Sequence, residues 1–292
     1  MARLDGHPAP ANSLEAVKAS LQAGAAFIEI DVNALAEGDY LLVHDDLLES
    51  ETSGQGAVID STPAQIRRLF IKVDGAVTRY PAALLSDVVD QFKGYPRAHL
   101  QLDFKNVRPL PTDEPLERLL RLVEPLGQRV IVSSGADWQL RRLRKLAPRL
   151  LLGFDVMWNI AWQPAGEERD PRDFPRRMGA YGYYDDSILA TEKHWPTADY
   201  LRDRCESVLG LVPEPSVFYL EHNLIAQSLR DGFNWAELLH AHGIRLDAWT
   251  MDVTDPVAVE NVPALLASGV DLFTSNTPQA MARLLDQARP SK

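Results

Sequence analysis

Glu29 and Asp31 lie two residues apart in the run AFIEIDV. On a β-strand that spacing puts both carboxylates on one face, with Ile28 and Ile30 on the other. Two carboxylates on the inner face of a sheet need a cation or hydrogen bonds, and a hard divalent ion with oxygen ligands is the natural partner. Pairing with Lys or Arg is the structural alternative. His44 follows in Val43-His44-Asp45-Asp46, at the carboxyl end of the next apolar run. There a proton carrier beside a metal-bound phosphate has a clear task, although a lone histidine is more often structural. The run LQLDFK then brings Asp103 and Lys105 to one face. Asp103 can complete a carboxylate cluster and Lys105 can neutralise phosphate oxygens, or the two simply neutralise each other. An ion pair alone does not explain why three successive strands deliver acidic or imidazole groups to one end.

Short β-rich runs alternating with helical patterns must position these groups, which argues for a parallel α/β sheet or barrel rather than a sandwich. The expected strands are Ala26 to Val32, Tyr40 to His44, His99 to Phe104, Arg129 to Ser133, Leu150 to Val156, Val217 to Leu220, Arg245 to Thr250 and Asp271 to Thr274. Helical segments include Ser13 to Ala23, Leu116 to Leu126, Asp137 to Leu146, Trp235 to His242, Val257 to Ala267 and Pro278 to Ala288. Asn12 or Ser13 can cap the first of these, and Gly24 closes it. From about Trp158 to Leu209 the rhythm is interrupted by Pro, Gly, charge and aromatics, including Trp158, Trp162, Phe174, Tyr181, Tyr183, Tyr184 and Trp195. This reads as a long insertion, either a substrate lid or a packed structural excursion.

The chain of 292 residues is long enough for one large barrel or two ordinary domains. Its net charge of −11 disfavours a general nucleic-acid or anionic-membrane surface, while leaving a small phosphate ester acceptable. Cys205 is the only cysteine, which excludes an intramolecular disulfide and a thiolate metal cluster. No apolar run approaches a membrane span, and the opening MARLDGH lacks a signal-peptide stretch, so the sequence as written reads as a cytoplasmic chain.

The run Asn12-Ser13-Leu14-Glu15-Ala16-Val17, then Ala23-Gly24-Ala25, Ile28-Glu29-Ile30-Asp31-Val32 and Val43-His44-Asp45, resembles the opening signature of the glycerophosphodiester phosphodiesterase family. Gly54-Gln55-Gly56, Tyr80-Pro81, Leu102-Asp103-Phe104-Lys105, Ser133-Ser134, Ala248-Trp249-Thr250 and Gly269-Val270-Asp271 through Thr274-Ser275-Asn276-Thr277-Pro278 resemble later landmarks in order. The resemblance implies a (β/α)8 TIM barrel in a single domain, 1–292, with the insertion at about 158–209 before the seventh strand. It also implies hydrolysis of glycerophosphodiesters, small-molecule substrates, to an alcohol and glycerol phosphate with a divalent metal, Mg2+ or Ca2+. By position Glu29, Asp31 and Asp103 match metal ligands, the last with Asp where Glu is usual. His44 matches the second of two catalytic histidines, Lys105 a phosphate-side lysine, and Trp249 an apolar wall for the glycerol moiety.

Members of that family begin with an apolar strand ending in His-Arg-Gly, and this sequence has none. Aligned without gaps from Asn12, Arg3 falls on the arginine and Ala2 on the histidine. A missing or truncated first strand, a lost activity, or replacement by His7 would each account for this, and loss of the whole strand points to the first. Pro8 and Pro10 restrict the reach of His7. Ala11 stands where the family prefers Glu, and Ser50-Glu51 replaces the usual Arg-Thr after the His-Asp motif. The remaining histidines, His99, His194, His222, His240 and His242, are expected to be structural or exposed, although Glu221-His222 follows a predicted strand and could line the barrel mouth.

Overall fold

A computed structural model describes residues 2–164, 166 and 169–288. It forms two compact units that meet in sequence at Leu152 and Gly153. The fold is of the α/β class expected from the rhythm of the sequence, that of a (β/α)8 barrel, with parallel strands alternating with helices.

In chain order the first unit contains α1 (Leu14–Gln22), β1 (Phe27–Ala34), β2 (Tyr40–Leu41), α2 (Leu48–Glu51), α3 (Pro63–Ile66), β3 (Phe70–Val73) and β4 (Ala76–Pro81). It continues with α4 (Leu85–Phe92), β5 (His99–Phe104), α5 (Glu114–Val123), β6 (Val130–Ser134) and α6 (Asp137–Leu146). Among the described residues no strand precedes α1. Ser13 is the N-cap of α1, its hydroxyl accepting from the Ala16 N–H at 3.1 Å, and Gly24 at φ +83° takes the left-handed turn that releases the chain into β1.

β1 and β5 pair in parallel with Ile28, Ile30, Val32, Leu100, Leu102 and Phe104 all buried. Alternation therefore commits one face of each strand to packing and leaves Glu29, Asp31 and Asn33, with Gln101 and Asp103, on the other. β6 extends the sheet in parallel beside β5, while β2 pairs antiparallel with the end of β1 through Asn33 and Ala34.

Residues 42–84 form an excursion whose Val43, Leu48, Val58, Ile66, Ala82 and Leu84 are buried together with Leu35 and with Leu41 of β2 in a small core. The strand expected over Tyr40 to His44 ends at Leu41, because the Leu42 N–H goes to the Ala83 carbonyl and the chain leaves the ladder. The hairpin of β3 and β4, absent from the expected strands, turns at Asp74-Gly75, both at positive φ, the dipeptide that favours such a turn.

β7 (Leu151–Asp155) leads into the second unit, which holds α7 (Thr197–Leu209), β8 (Val217–Glu221), α8 (His222–Arg230), α9 (Trp235–Ala241) and β9 (Arg245–Trp249). α10 (Pro256–Ser268), β10 (Leu272–Phe273) and α11 (Pro278–Ala288) complete it. β7, β8, β9 and β10 are joined in that order by parallel pairing.

Part of the aromatic-rich insertion is packed, while Phe174, Met178, Ile188 and Trp195 are exposed. Tyr181 stacks on Tyr200 with ring centroids 3.9 Å apart, and the Tyr183 hydroxyl donates to Asp231 at 2.7 Å. Buried Asp185 accepts from both the Tyr200 hydroxyl and Arg204. The last part of the stretch expected to be irregular, from Thr197, is the regular helix α7, whose Tyr200, Leu201, Cys205 and Val208 are buried. Burial pushes the Cys205 thiol up to about 12, which removes it as a nucleophile. No helix among the described residues is long and apolar enough to cross a membrane.

Candidate metal and phosphodiester site

The register of β1 on β5 sets Asp31 directly opposite Asp103. With Glu29 one pleat earlier on the same face, the three carboxylates offer oxygen atoms that all lie within 4.8 Å of one another. Lys105 follows Asp103 by two residues and brings its ammonium 2.6 Å from Asp103 Oδ2 and 3.1 Å from Asp31 Oδ1. Burial by itself would push that ammonium down, but the Asp103 and Asp31 carboxylates outweigh it and hold Lys105 well above the usual lysine range. The donor set is all oxygen and predominantly anionic, which is the chemistry a hard divalent cation requires, so these residues could hold Mg2+ or Ca2+.

Asp31 is the most buried of the group, and Asn12 secures it twice. The Asn12 side-chain N–H donates to Asp31 Oδ2 at 2.8 Å, and its carbonyl accepts the Asp31 backbone N–H at 3.2 Å. Asn12 sits at φ +58°, a left-handed conformation that an asparagine adopts more readily than most residues. The sequence offers Asn12 as a possible helix cap and as the start of the family signature. Ser13 takes the cap, which leaves Asn12 for the carboxylate.

His44 emerges beyond the end of β2 with its side chain more than half exposed. Its Nδ1 lies 3.0 Å from Asp45 Oδ1, and this bond is the largest influence holding the Asp45 carboxyl below its ordinary value. An ionised Asp45 accepts, so Nδ1 carries the proton and Nε2 is the atom left for exchange with a ligand. The backbone of the same turn is gripped by two side chains whose roles the sequence alone does not signal. Glu51 Oε1 accepts the N–H groups of both His44 and Asp45 at 2.8 Å. Buried Asn33, next on the face that carries Glu29 and Asp31, donates to the carbonyls of Val43, His44 and Asp45 at 3.1, 3.3 and 3.2 Å. Burial pushes the Glu51 carboxyl up, the two backbone N–H bonds pull it back, and the charge of Asp31 adds to the rise. The His44 turn and the carboxylate group are therefore within electrostatic reach of each other.

Arg3 is exposed. Ala2 is buried, whereas His7 is exposed, with Nδ1 accepting from the Ala9 N–H at 3.2 Å in a local turn.

In the second unit Trp249 ends β9 and lines a cavity of about 360 Å3 together with Trp162, Glu221, His222, Asn223 and Asp255. Its indole Nε1 is buried with no hydrogen-bond partner among the described residues. His222, at the start of α8, is buried, with Nδ1 accepting from the Asn261 side chain at 3.0 Å and Nε2 3.5 Å from Asp255. It lines this cavity, as one of the two possibilities for Glu221-His222 allowed.

The model of the Glycerophosphoryl diester phosphodiesterase family matches residues 5–181, more than half of the chain. The chain belongs to that family. Membership makes it an enzyme of the phosphodiesterase class, and the glycerophosphodiester phosphodiesterase resemblance read from the sequence holds. A glycerophosphodiester phosphodiesterase of Caldanaerobacter subterraneus is 28% identical over 187 residues, covering 62% of this chain and 72% of that protein. Bovine glycerophosphodiester phosphodiesterase 1 is 40% identical over 63 residues, 22% of this chain, and the match spans only 19% of the bovine protein. Among solved structures, a putative glycerophosphodiester phosphodiesterase from Galdieria sulphuraria superposes with a TM-score of 0.66 at 16% identity, covering 98% of each chain. A phosphodiesterase from Oleispira antarctica, solved with the product sn-glycerol-3-phosphate, gives a TM-score of 0.62 at 18% identity, covering 94% of this chain and 91% of that one. Identities this low speak for the fold alone.

Proposed function

We propose that this phosphodiesterase hydrolyses glycerophosphodiesters to an alcohol and glycerol phosphate, as a single catalytic domain over 1–292 that carries the insertion. The observation that carries the reading is the convergence of Glu29, Asp31, Asp103 and Lys105 on one face of two paired strands, with Asn33, next on that face, bonded to the backbone of the His44 turn. In this reading the three carboxylates hold a divalent cation, Mg2+ or Ca2+. When bound, that cation would supply Lewis-acid neutralisation of a nonbridging phosphate oxygen.

The chain's own residues do the rest. Lys105 offers a fixed positive charge to the phosphate oxygens, where negative charge accumulates as water adds to phosphorus and the bond to the departing alcohol breaks. His44 moves the proton at Nε2, taking it from the incoming oxygen or giving it to the departing one, while Asp45 steadies the imidazolium through Nδ1. By the family resemblance Arg3 serves the phosphate and Trp249 the glycerol moiety. A small-molecule diester is the partner in this scheme.

Hydrolysis of glycerophosphocholine and related diesters, followed with Mg2+, with Ca2+ and after chelation, tests it. Turnover that chelator removes, and that Glu29→Ala and His44→Ala abolish, is the expected result. A folded, cation-loaded protein with no turnover on any diester sinks it. One observation favours a second reading, a phosphodiester-binding barrel with impaired catalysis. The position aligned with the first family histidine is Ala2, a buried methyl group, and His7 has its Nδ1 engaged in its own loop. Tight binding of a diester without cleavage would select that alternative.

A further inference from the structure

His44 stands on a turn that the sheet does not hold. β2 ends at Leu41, and the Leu42 and Val43 N–H groups go to the Ala83 and Leu41 carbonyls, so the peptide groups from Val43 to Asp45 have no strand ladder. The imidazole is more than half exposed and is contacted through Nδ1 by Asp45, itself half exposed on the same turn. Packing therefore does not fix the ring, and its position follows that of the backbone beneath it.

That backbone is held by two side chains acting from opposite sides. Asn33 Nδ2 takes the carbonyls of residues 43, 44 and 45, and Glu51 Oε1 takes the N–H groups of residues 44 and 45. Glu51 is the last residue of α2, and that short helix is anchored by Leu48, which packs in the same small core as Val43. The clamp thus ties the His44 turn to a rigid support at both ends. Two N–H groups converging on one oxygen need an acceptor, and a neutral amide oxygen supplies one in the same place, although each bond is weaker than to a carboxylate.

We propose that Glu51 is a positioning residue for His44, acting as a hydrogen-bond acceptor for the His44 and Asp45 amides rather than as a charge. The importance of His44 to turnover rests on the hydrolase reading above; the clamp itself does not.

The test compares Glu51→Ala and Glu51→Gln in the full chain with two readouts. The first is amide hydrogen exchange of residues 44 and 45 in the cation-free protein, which needs no activity. Glu51→Ala is expected to speed exchange at both amides by about tenfold or more, while Glu51→Gln keeps it within about threefold of the parent. The second is steady-state hydrolysis, where Glu51→Ala is expected to lower kcat by about 10 to 100 fold with KM within about twofold, and Glu51→Gln to restore it. Unchanged amide exchange in a folded Glu51→Ala protein overturns the proposal, as does kcat equal to that of the parent. A Glu51→Gln protein as impaired as Glu51→Ala also overturns it, because the charge and not the acceptor would then matter. If the parent turns over no diester, the hydrolase reading fails, and the exchange comparison alone still decides whether Glu51 holds the turn. Should Glu51→Ala fail to fold, Glu51→Leu, which removes the acceptor but keeps much of the size, takes its place with the same readouts. Faster exchange at residues 44 and 45 then supports the clamp, and unchanged exchange overturns it.

Discussion

Lys105 Nζ lies 3.1 Å from Asp31 Oδ1, bridging from its closer contact with Asp103 into the most buried carboxylate of the site. One fixed positive charge therefore balances part of the negative charge that would attract a divalent cation, and the same charge faces any phosphate bound there. These two effects act in opposite directions on binding and on chemistry. Lys105→Met is expected to tighten Ca2+ or Mg2+ binding by about tenfold, or about 1.4 kcal/mol, by removing a like charge. It is also expected to lower kcat by about 100-fold through loss of charge neutralisation on phosphate. Calorimetric titration and a hydrolysis assay on the same preparation check the two together. Weaker cation binding would show instead that Lys105 holds the carboxylates in place.

Asn12 makes a two-point contact with Asp31, one bond to the side chain and one to the backbone. Asn12→Ala leaves a buried carboxylate and a buried N–H short of partners, so it is expected to cost about 1–3 kcal/mol of stability. Divalent-cation affinity should fall with it, because Asp31 is no longer held in one orientation. Urea unfolding and calorimetric titration measure the two effects. A stability change below about 0.5 kcal/mol would mean that water replaces the amide.

Asp247, buried on β9, has its carboxyl pushed up to about 7 by burial, with the Thr274 hydroxyl bond opposing the shift. Its Oδ1 has no hydrogen-bond partner among the described residues. The folded state therefore holds a proton that the unfolded state releases between about pH 4 and pH 7. Stability from this group is present at the acid end of that window and is lost as pH rises through it, by on the order of 2–4 kcal/mol. Asp247→Asn is expected to flatten that slope whatever it does to absolute stability. Denaturant midpoints at about pH 5 and pH 8 provide the measurement.

His222 has the opposite sign. Burial pushes its imidazole down, against the pull of Asp255, and Asn261 donates to Nδ1, a bond that the protonated ring cannot accept. The unfolded chain binds this proton more readily than the folded one, so stability from His222 is present above about pH 6.5 and declines as pH falls below it. His222→Gln should lessen the loss of stability between about pH 7.5 and pH 5.5. An unchanged loss would assign the acid sensitivity to other groups.

Much of the site was legible from local rules. Glu29 and Asp31 on one face of their strand, Asp103 and Lys105 on one face of theirs, and a helix opening at Asn12 or Ser13 all follow from periodicity and capping, which depend only on near neighbours in sequence. The family resemblance rested on those residues together with later landmarks such as Gly54-Gln55-Gly56, Ser133-Ser134 and Ala248-Trp249-Thr250. Local spacing is silent about the register that sets Asp31 opposite Asp103, because pairing between strands about 70 residues apart is decided by packing of the whole β1 and β5 faces. Asn12 at Asp31 depends on a left-handed backbone, and Glu51 under His44 depends on a short helix folding back onto the turn it follows. The sequence by itself thus determined which side chains could do the chemistry and which face they share. Only the tertiary structure decided which of them meet, and which neutral or acidic neighbours hold them still, because those contacts come from long-range packing that no residue's own spacing encodes.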